Sequence, residues 1–261
     1  MNRVLTNSLR AALAAGAIVG IAHVVQAETM LEYMAESRLQ LDLKVPDAAL
    51  AKMLPAGWEP NVATTGAAKD ANLRIIFIDR MIVADKDNKP IGAGKNQMVY
   101  LAAPVKNTAS GATAQMIIGG LTADEKDAPG PYGNYLYAKD HSVSRTDMTG
   151  PDGKSIGDQT WSFTTAAGDH FDLHIKYERG PVTHSLPETR YYSAKNPDYY
   201  QIVRGDQALD IMKNTTTNPP DHVMEFSFKA SGPTYAALFP ANVGILSWDL
   251  LPWTNKTAFL P

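Results

Sequence analysis

After Leu39 every apolar stretch in this chain is the length of a strand, and Gly or Pro recurs in the gaps between them. That pattern leaves little room for long helices. Leu39-Gln-Leu-Asp-Leu-Lys-Val45 alternates apolar and polar residues, the period of a half-buried strand. Asn72 to Val83 is β-branched and apolar on both faces, as a central strand is. Further strands are expected over Gln97 to Val105, Thr113 to Ile118, Thr160 to Thr165, His170 to Tyr177, Val223 to Ala230 and Ile245 to Leu250, with a bent one around Arg190 to Tyr192. Met224, Phe226 and Phe228 should share one face of their strand. Helical expectations are few and short: Glu28 to Arg38, Ala48 to Leu54, Gln207 to Lys213 and a turn at Tyr235 to Leu238. Many short strands joined by Gly/Pro turns predict a mainly β fold with a few short helices, an antiparallel β barrel or double barrel. No repeat or low-complexity linker divides residues 28–261, so a single domain is expected.

The N-terminus reads differently. Arg3 and Arg10 flank an acid-free start, Ala11 to Val25 is an apolar run of 15 residues, and Val25-Gln26-Ala27 places small residues where a signal peptidase reads. Residues 1–27 are therefore expected to be a cleaved signal peptide, making the protein periplasmic or secreted. The run is shorter than the roughly 20 apolar residues of a spanning helix, and no later segment is expected to cross a membrane. Without Arg3 and Arg10 the chain carries 22 basic against 27 acidic residues, a formal charge of −5. With no basic cluster there is no electrostatic case for nucleic acid. The absence of cysteine removes thiol nucleophiles, iron–sulfur ligation and cysteine-based zinc sites.

No phosphate-cradling loop, dinucleotide fingerprint, Gly-x-Ser-x-Gly elbow or His-Glu-x-x-His occurs, so no cofactor is expected and a small molecule is the expected partner. His170, Asp172 and His174 share one strand face; they suit either a metal or, more simply, the solvated side of a strand whose other face is Phe171, Leu173, Ile175 and Tyr177. Tyr135, Tyr137, Lys139 and His141 also share a face, which is outward on an ordinary strand and inward where a barrel holds a ligand. An inward lysine is desolvated and becomes a nucleophile for carbonyl carbon; moving its pKa from about 10.4 to near 7 takes roughly 4–5 kcal/mol of bias against charge. Glu225 is a candidate acid if its strand lines a cavity and an exposed residue otherwise. Arg74 and Arg80 interrupt an apolar strand, either to clamp a substrate carboxylate or to reach water at strand ends.

The order of features resembles the acetoacetate decarboxylase-like superfamily. A strand precedes Pro-Asp-Ala-Ala-Leu-Ala-Lys-Met-Leu-Pro-Ala-Gly-Trp (46–58), similar to the short helix ending in Leu-Pro and Gly in that family; a strand pair, a Gly-rich loop and a late Leu-Phe-Pro (238–240) follow. The resemblance puts Tyr137-Ala138-Lys139-Asp140 at the place of the Schiff-base lysine, which in the family follows an aromatic-Pro pair and precedes a second lysine. Ala138 and Asp140 depart from that pattern. An acid touching Lys139 would raise its pKa, so imine-based aldol, retro-aldol, dehydration or hydration chemistry is implied more than acetoacetate decarboxylation. The resemblance carries over Lys139 alone and no acidic partner; beside it, Tyr137, His141 and Glu225 are catalytic candidates and Arg74, Arg80 and Tyr135 substrate-binding candidates from their strand positions. Two alternatives stand beside this enzyme: a non-catalytic small-molecule-binding barrel, and an envelope protein that presents loops such as Ala123 to Gly133 and Tyr192 to Tyr200 and has no cavity.

Overall fold

The computed structural model describes residues 28–216 and 221–261; the expected signal peptide lies outside them. The strands are β1 (Thr29–Lys44), β2 (Trp58–Pro60), β3 (Leu73–Ala84), β4 (Asn96–Asn107), β5 (Thr113–Thr122), β6 (Tyr135–Tyr137), β7 (Asp140–Thr149), β8 (Ser155–Thr164), β9 (His170–Glu178), β10 (Thr183–Ser185), β11 (Glu188–Ser193), β12 (Tyr200–Asn214), β13 (Val223–Ser231) and β14 (Gly244–Leu260). Among the described residues helix is confined to α1 (Asp47–Ala51) and a 3-10 turn at Glu125–Asp127.

Strands β1, β3, β4, β5, β11, β12 and β14 pair in that order, and β14 returns to β1, closing a barrel. Every pairing in the ring is antiparallel except β5 with β11. A separate four-stranded antiparallel sheet, ordered β13-β9-β8-β7, lies against it. The mainly β barrel expected from the sequence is the fold observed, with one parallel seam.

Two layers of packing set the character of β1. Leu39, Leu41 and Leu43 join Ile75, Phe77, Val99 and Leu101 against Trp161, Phe163, Phe171, Leu173, Ile175 and Tyr177 of the second sheet, the largest apolar core. Side chains alternate across a strand, so Glu36, Arg38, Gln40 and Asp42 occupy the opposite face, and they are buried as well. That face is the barrel lumen. The alternation of Leu39 to Val45 is thus real, yet its polar half is internal instead of solvated. Buried charge is tolerable when paired and hydrogen-bonded, and the lumen meets this with Arg38 on Glu36, Arg74 on Asp42 and Arg80 on Glu32.

Four local expectations are corrected. Glu28 to Arg38 and Gln207 to Lys213 were expected as helices and belong to β1 and β12, where long ladders with β14 outweigh weak helical propensity. Tyr135 to His141, read as sharing one strand face, is divided between β6 and β7, which lie in different sheets. Met224 does not share a face with Phe226 and Phe228: a bulge between Val223 and Glu225 turns it outward, while the two phenylalanines pack on the core. On β9 the expected division holds, with Phe171, Leu173, Ile175 and Tyr177 fully buried.

Candidate active site

A cavity of about 530 Å³ opens inside one end of the barrel. Its walls come from β1 (Glu32, Glu36, Arg38), β3 (Ile78, Arg80), β4 (Met98, Tyr100), β11 (Tyr191) and β14 (Lys256), and the loop through Gly130, Tyr132 and Tyr135 covers it. Gly130 has φ +71°, and a Cβ there would lie 2.3 Å from the Tyr135 ring. Only glycine therefore lets this loop turn while seating Tyr135 in the wall.

Lys256 is the amine of the site. It is 6% exposed, and its nearest carboxylate oxygen, Glu36 Oε1, lies 4.0 Å away. That carboxylate already receives the Arg38 guanidinium, with Nε at 2.7 Å. Burial, assisted by the neighbouring Arg38 cation and opposed by Tyr191 and Glu36, lowers the Lys256 pKa to about 8. Arg38 continues the network by donating from Nη1 to the Tyr100 hydroxyl at 3.1 Å. Burial pushes the Tyr100 phenol up. Burial would do the same at Tyr191, but Lys256, Arg38 and Arg74, with a hydrogen bond from Tyr100, bring Tyr191 below its ordinary value.

Deeper in the lumen Arg74 grips Asp42 bidentately, with Nε–Oδ1 at 2.7 Å and Nη2–Oδ2 at 2.9 Å. Asp249 sits beside them and accepts from Ser247 Oγ at 2.7 Å. Burial and the nearby Asp42 charge, only partly offset by Arg74 and Ser247, raise Asp249 to about 6. Outside the cavity a recess of about 750 Å³ is lined by Tyr137, His141 and Gln97, and it shares Arg80, Lys95, Asn96 and Lys126 with the inner chamber.

The residues expected from the sequence divide across this geometry. Tyr135 is buried in the cavity wall, where burial raises its pKa well above the ordinary value. Arg80 lines the cavity and donates to Glu32 at 2.8 Å. Arg74 faces the lumen, but its fork is occupied by Asp42. Tyr137 and an exposed His141 reach only the outer recess. Glu225 is outside on the second sheet, paired with Lys176.

Lys139 needs correction as the buried amine. Its side chain is 58% exposed and 3.8 Å from Asp140, and it lines neither chamber. Ala138 is fully buried in the core shared with the second sheet, and the chain bends at Lys139 between β6 and β7, leaving that side chain in water. His170 is bonded to Thr164 and Asp172, and His174 to Asp158. Glu36, Arg38, Tyr100, Tyr191 and Lys256 were missed. Only the alternation Glu36-x-Arg38-x-Gln40-x-Asp42 carried a signal, and it is the same signal that a solvated face gives.

No family model matches the chain, and no curated protein matches it in sequence. Solved structures do match. The enduracididine biosynthesis enzyme MppR in complex with pyruvate superposes with a TM-score of 0.54 at 10% identity, covering 91% of each chain. An acetoacetate decarboxylase-like enzyme from Sphingomonas wittichii RW1 superposes with a TM-score of 0.51 at 14% identity, covering 89% of this chain and 91% of that one. This chain has the acetoacetate decarboxylase-like fold. MppR bound to the condensation product of pyruvate and imidazole 4-carboxaldehyde is similar to the same extent, at a TM-score of 0.51 and 10% identity over 88% of this chain and 87% of that one. Within this acetoacetate decarboxylase-like barrel, the buried amine is on the last strand.

Proposed function

We propose that this protein is an exported enzyme that acts on a small carbonyl or oxo-acid compound through an imine on Lys256. The observation that carries the reading is a lysine almost wholly buried in a cavity wall, with its pKa lowered to about 8. At pH 7 roughly a tenth of such amines are neutral, against fewer than about one in a thousand for an ordinary lysine. The neutral amine attacks carbonyl carbon, and water leaves to form the imine. The cavity also suits an anion. Glu32 and Glu36 are matched by Arg80 and Arg38, so a protonated Lys256 or its iminium adds a positive charge for which a substrate carboxylate is the complement. The MppR complexes with pyruvate and with a pyruvate condensation product support an oxo acid as the first substrate class to try.

The test is trapping. The protein is incubated with pyruvate and borohydride, digested, and searched for a reduced adduct by mass. An adduct on the peptide containing Lys256, absent in Lys256→Met, is expected. No adduct with any oxo acid, or one that persists in the variant, ends the proposal. For export, the N-terminus of protein recovered outside the cytoplasm should be Glu28.

A second reading is a binding protein without catalysis. It is favoured by the tyrosines on the cavity wall (Tyr100, Tyr132, Tyr135, Tyr191 and Tyr199), which offer ring faces and hydroxyls to a flat ligand. Native mass spectrometry of protein purified from its source would then show a retained small molecule without turnover.

A further inference from the structure

An imine enzyme needs a group to move protons at the reacting carbons, and the obvious ones in this cavity are engaged. Glu36 holds Arg38, Glu32 holds Arg80, and Asp127 accepts from Asn96 Nδ2 at 2.5 Å. Among the described residues no histidine lines the inner chamber. Among its phenols, Tyr132 donates to Gln201 Oε1 at 3.0 Å, Tyr199 accepts from Gln201 Nε2 at 2.8 Å, and Tyr135 is sealed in the wall. Tyr191 differs from all of these. It lies on β11 in the cavity wall, within electrostatic reach of Lys256 from β14, Arg38 from β1, Arg74 from β3 and Tyr100 from β4. Tyr100 is itself held by Arg38. Tyr132, from the covering loop, is a further ionisable group near it, and Glu36, Lys95, Lys126 and Asp127 line the same cavity.

We propose that Tyr191 is the proton carrier of this site, donating to the hydroxyl that leaves the Lys256 carbinolamine and then taking a proton from the carbon next to the iminium. This rests on the imine reading above. The steps balance. The neutral Lys256 amine adds to the carbonyl, and its proton passes to the new alkoxide. The Tyr191 phenol protonates the hydroxyl, the C–O bond breaks, and water leaves an iminium beside a phenolate. The phenolate then removes a proton from the adjacent carbon, and the C–H electron pair forms the enamine double bond as the C=N pair returns to nitrogen. Tyr191 ends as phenol. The cations around it match this cycle, since they favour the phenolate at the stage when the iminium is formed.

The experiment uses pyruvate and two readouts. Borohydride trapping reports the imine, and loss of methyl protons in D2O, followed by NMR, reports proton transfer at carbon. Tyr191→Phe should form the Lys256 adduct more slowly, and methyl exchange should fall by about 100-fold or more, the usual scale for losing a general acid–base. Replacing Tyr191 by 3,5-difluorotyrosine keeps the shape and should move the basic limb of the exchange profile to lower pH. Exchange near the wild-type rate in Tyr191→Phe, adduct formation at the wild-type rate in that variant, or an unmoved profile with difluorotyrosine each overturns the proposal. If wild type forms no adduct at all, the imine reading has failed by itself. The proposal then falls with it, whereas a wild type that forms the adduct beside a Tyr191→Phe variant of unaltered kinetics removes Tyr191 alone.

Discussion

Lys256 Nζ and Glu36 Oε1 stand 4.0 Å apart in the barrel lumen, and the same Glu36 carboxylate is held by Arg38. The amine therefore shares its counter-ion with a guanidinium that cannot give up its proton. An unshared Glu36 would hold Lys256 charged; sharing leaves burial to decide, and burial favours the neutral form.

This placement has a stability consequence. The folded chain releases the Lys256 proton near pH 8, whereas the unfolded chain keeps it to about its ordinary value of 10.5. Between those values the unfolded state binds more protons, so wild-type stability rises with pH across that window. Lys256→Met removes the cost and keeps the volume. At pH 7 it should unfold later in urea, by on the order of 2 kcal/mol, and the gap should close as the pH approaches 10.5. A variant that is more stable and yet forms no adduct would mark Lys256 as kept for function.

Asp249 has the opposite pH signature. Its folded value of about 6 lies above the ordinary 3.8, so the folded chain holds a proton that the unfolded chain has released. Stability falls as pH rises from 3.8 to about 6. Asp249→Asn should be more stable than wild type at pH 7, by on the order of 2 kcal/mol. Near pH 3.5 the two should be equal, to about the same accuracy. Urea midpoints at the two pH values check this.

Gly130→Ala should damage the cavity without touching Lys256. The left-handed backbone alone costs about 1–2 kcal/mol for a residue with Cβ, and the added atom would force the Tyr135 ring out of the wall. A lower Tm and a reduced yield of trapped adduct are expected; an unchanged value of both would show that the covering loop does not shape the site.

Lys139→Ala is the contrasting substitution. The side chain is exposed and its Asp140 contact is long, so stability should change by less than about 0.5 kcal/mol. Adduct formation should be unchanged. Loss of the adduct in this variant would return the nucleophile to the position suggested by family resemblance.

The chain's own residues settled the strand-sized segments, their Gly/Pro boundaries and the apolar face of β9, because β-branched alternation is a local property written two residues at a time. They did not settle which side of each strand meets water. Glu36 and Arg38 look the same in sequence whether they face solvent or a polar lumen, and Lys256 sits five residues from the chain end, beyond the final strand expected at Leu250, among ordinary polar neighbours. Only the closing of β14 onto β1 and β12 folds those residues inward. Ring closure depends on pairings more than 200 residues apart, such as Met34 with Lys256, and removing both partners from water at once is what distinguishes a reactive amine from a surface lysine.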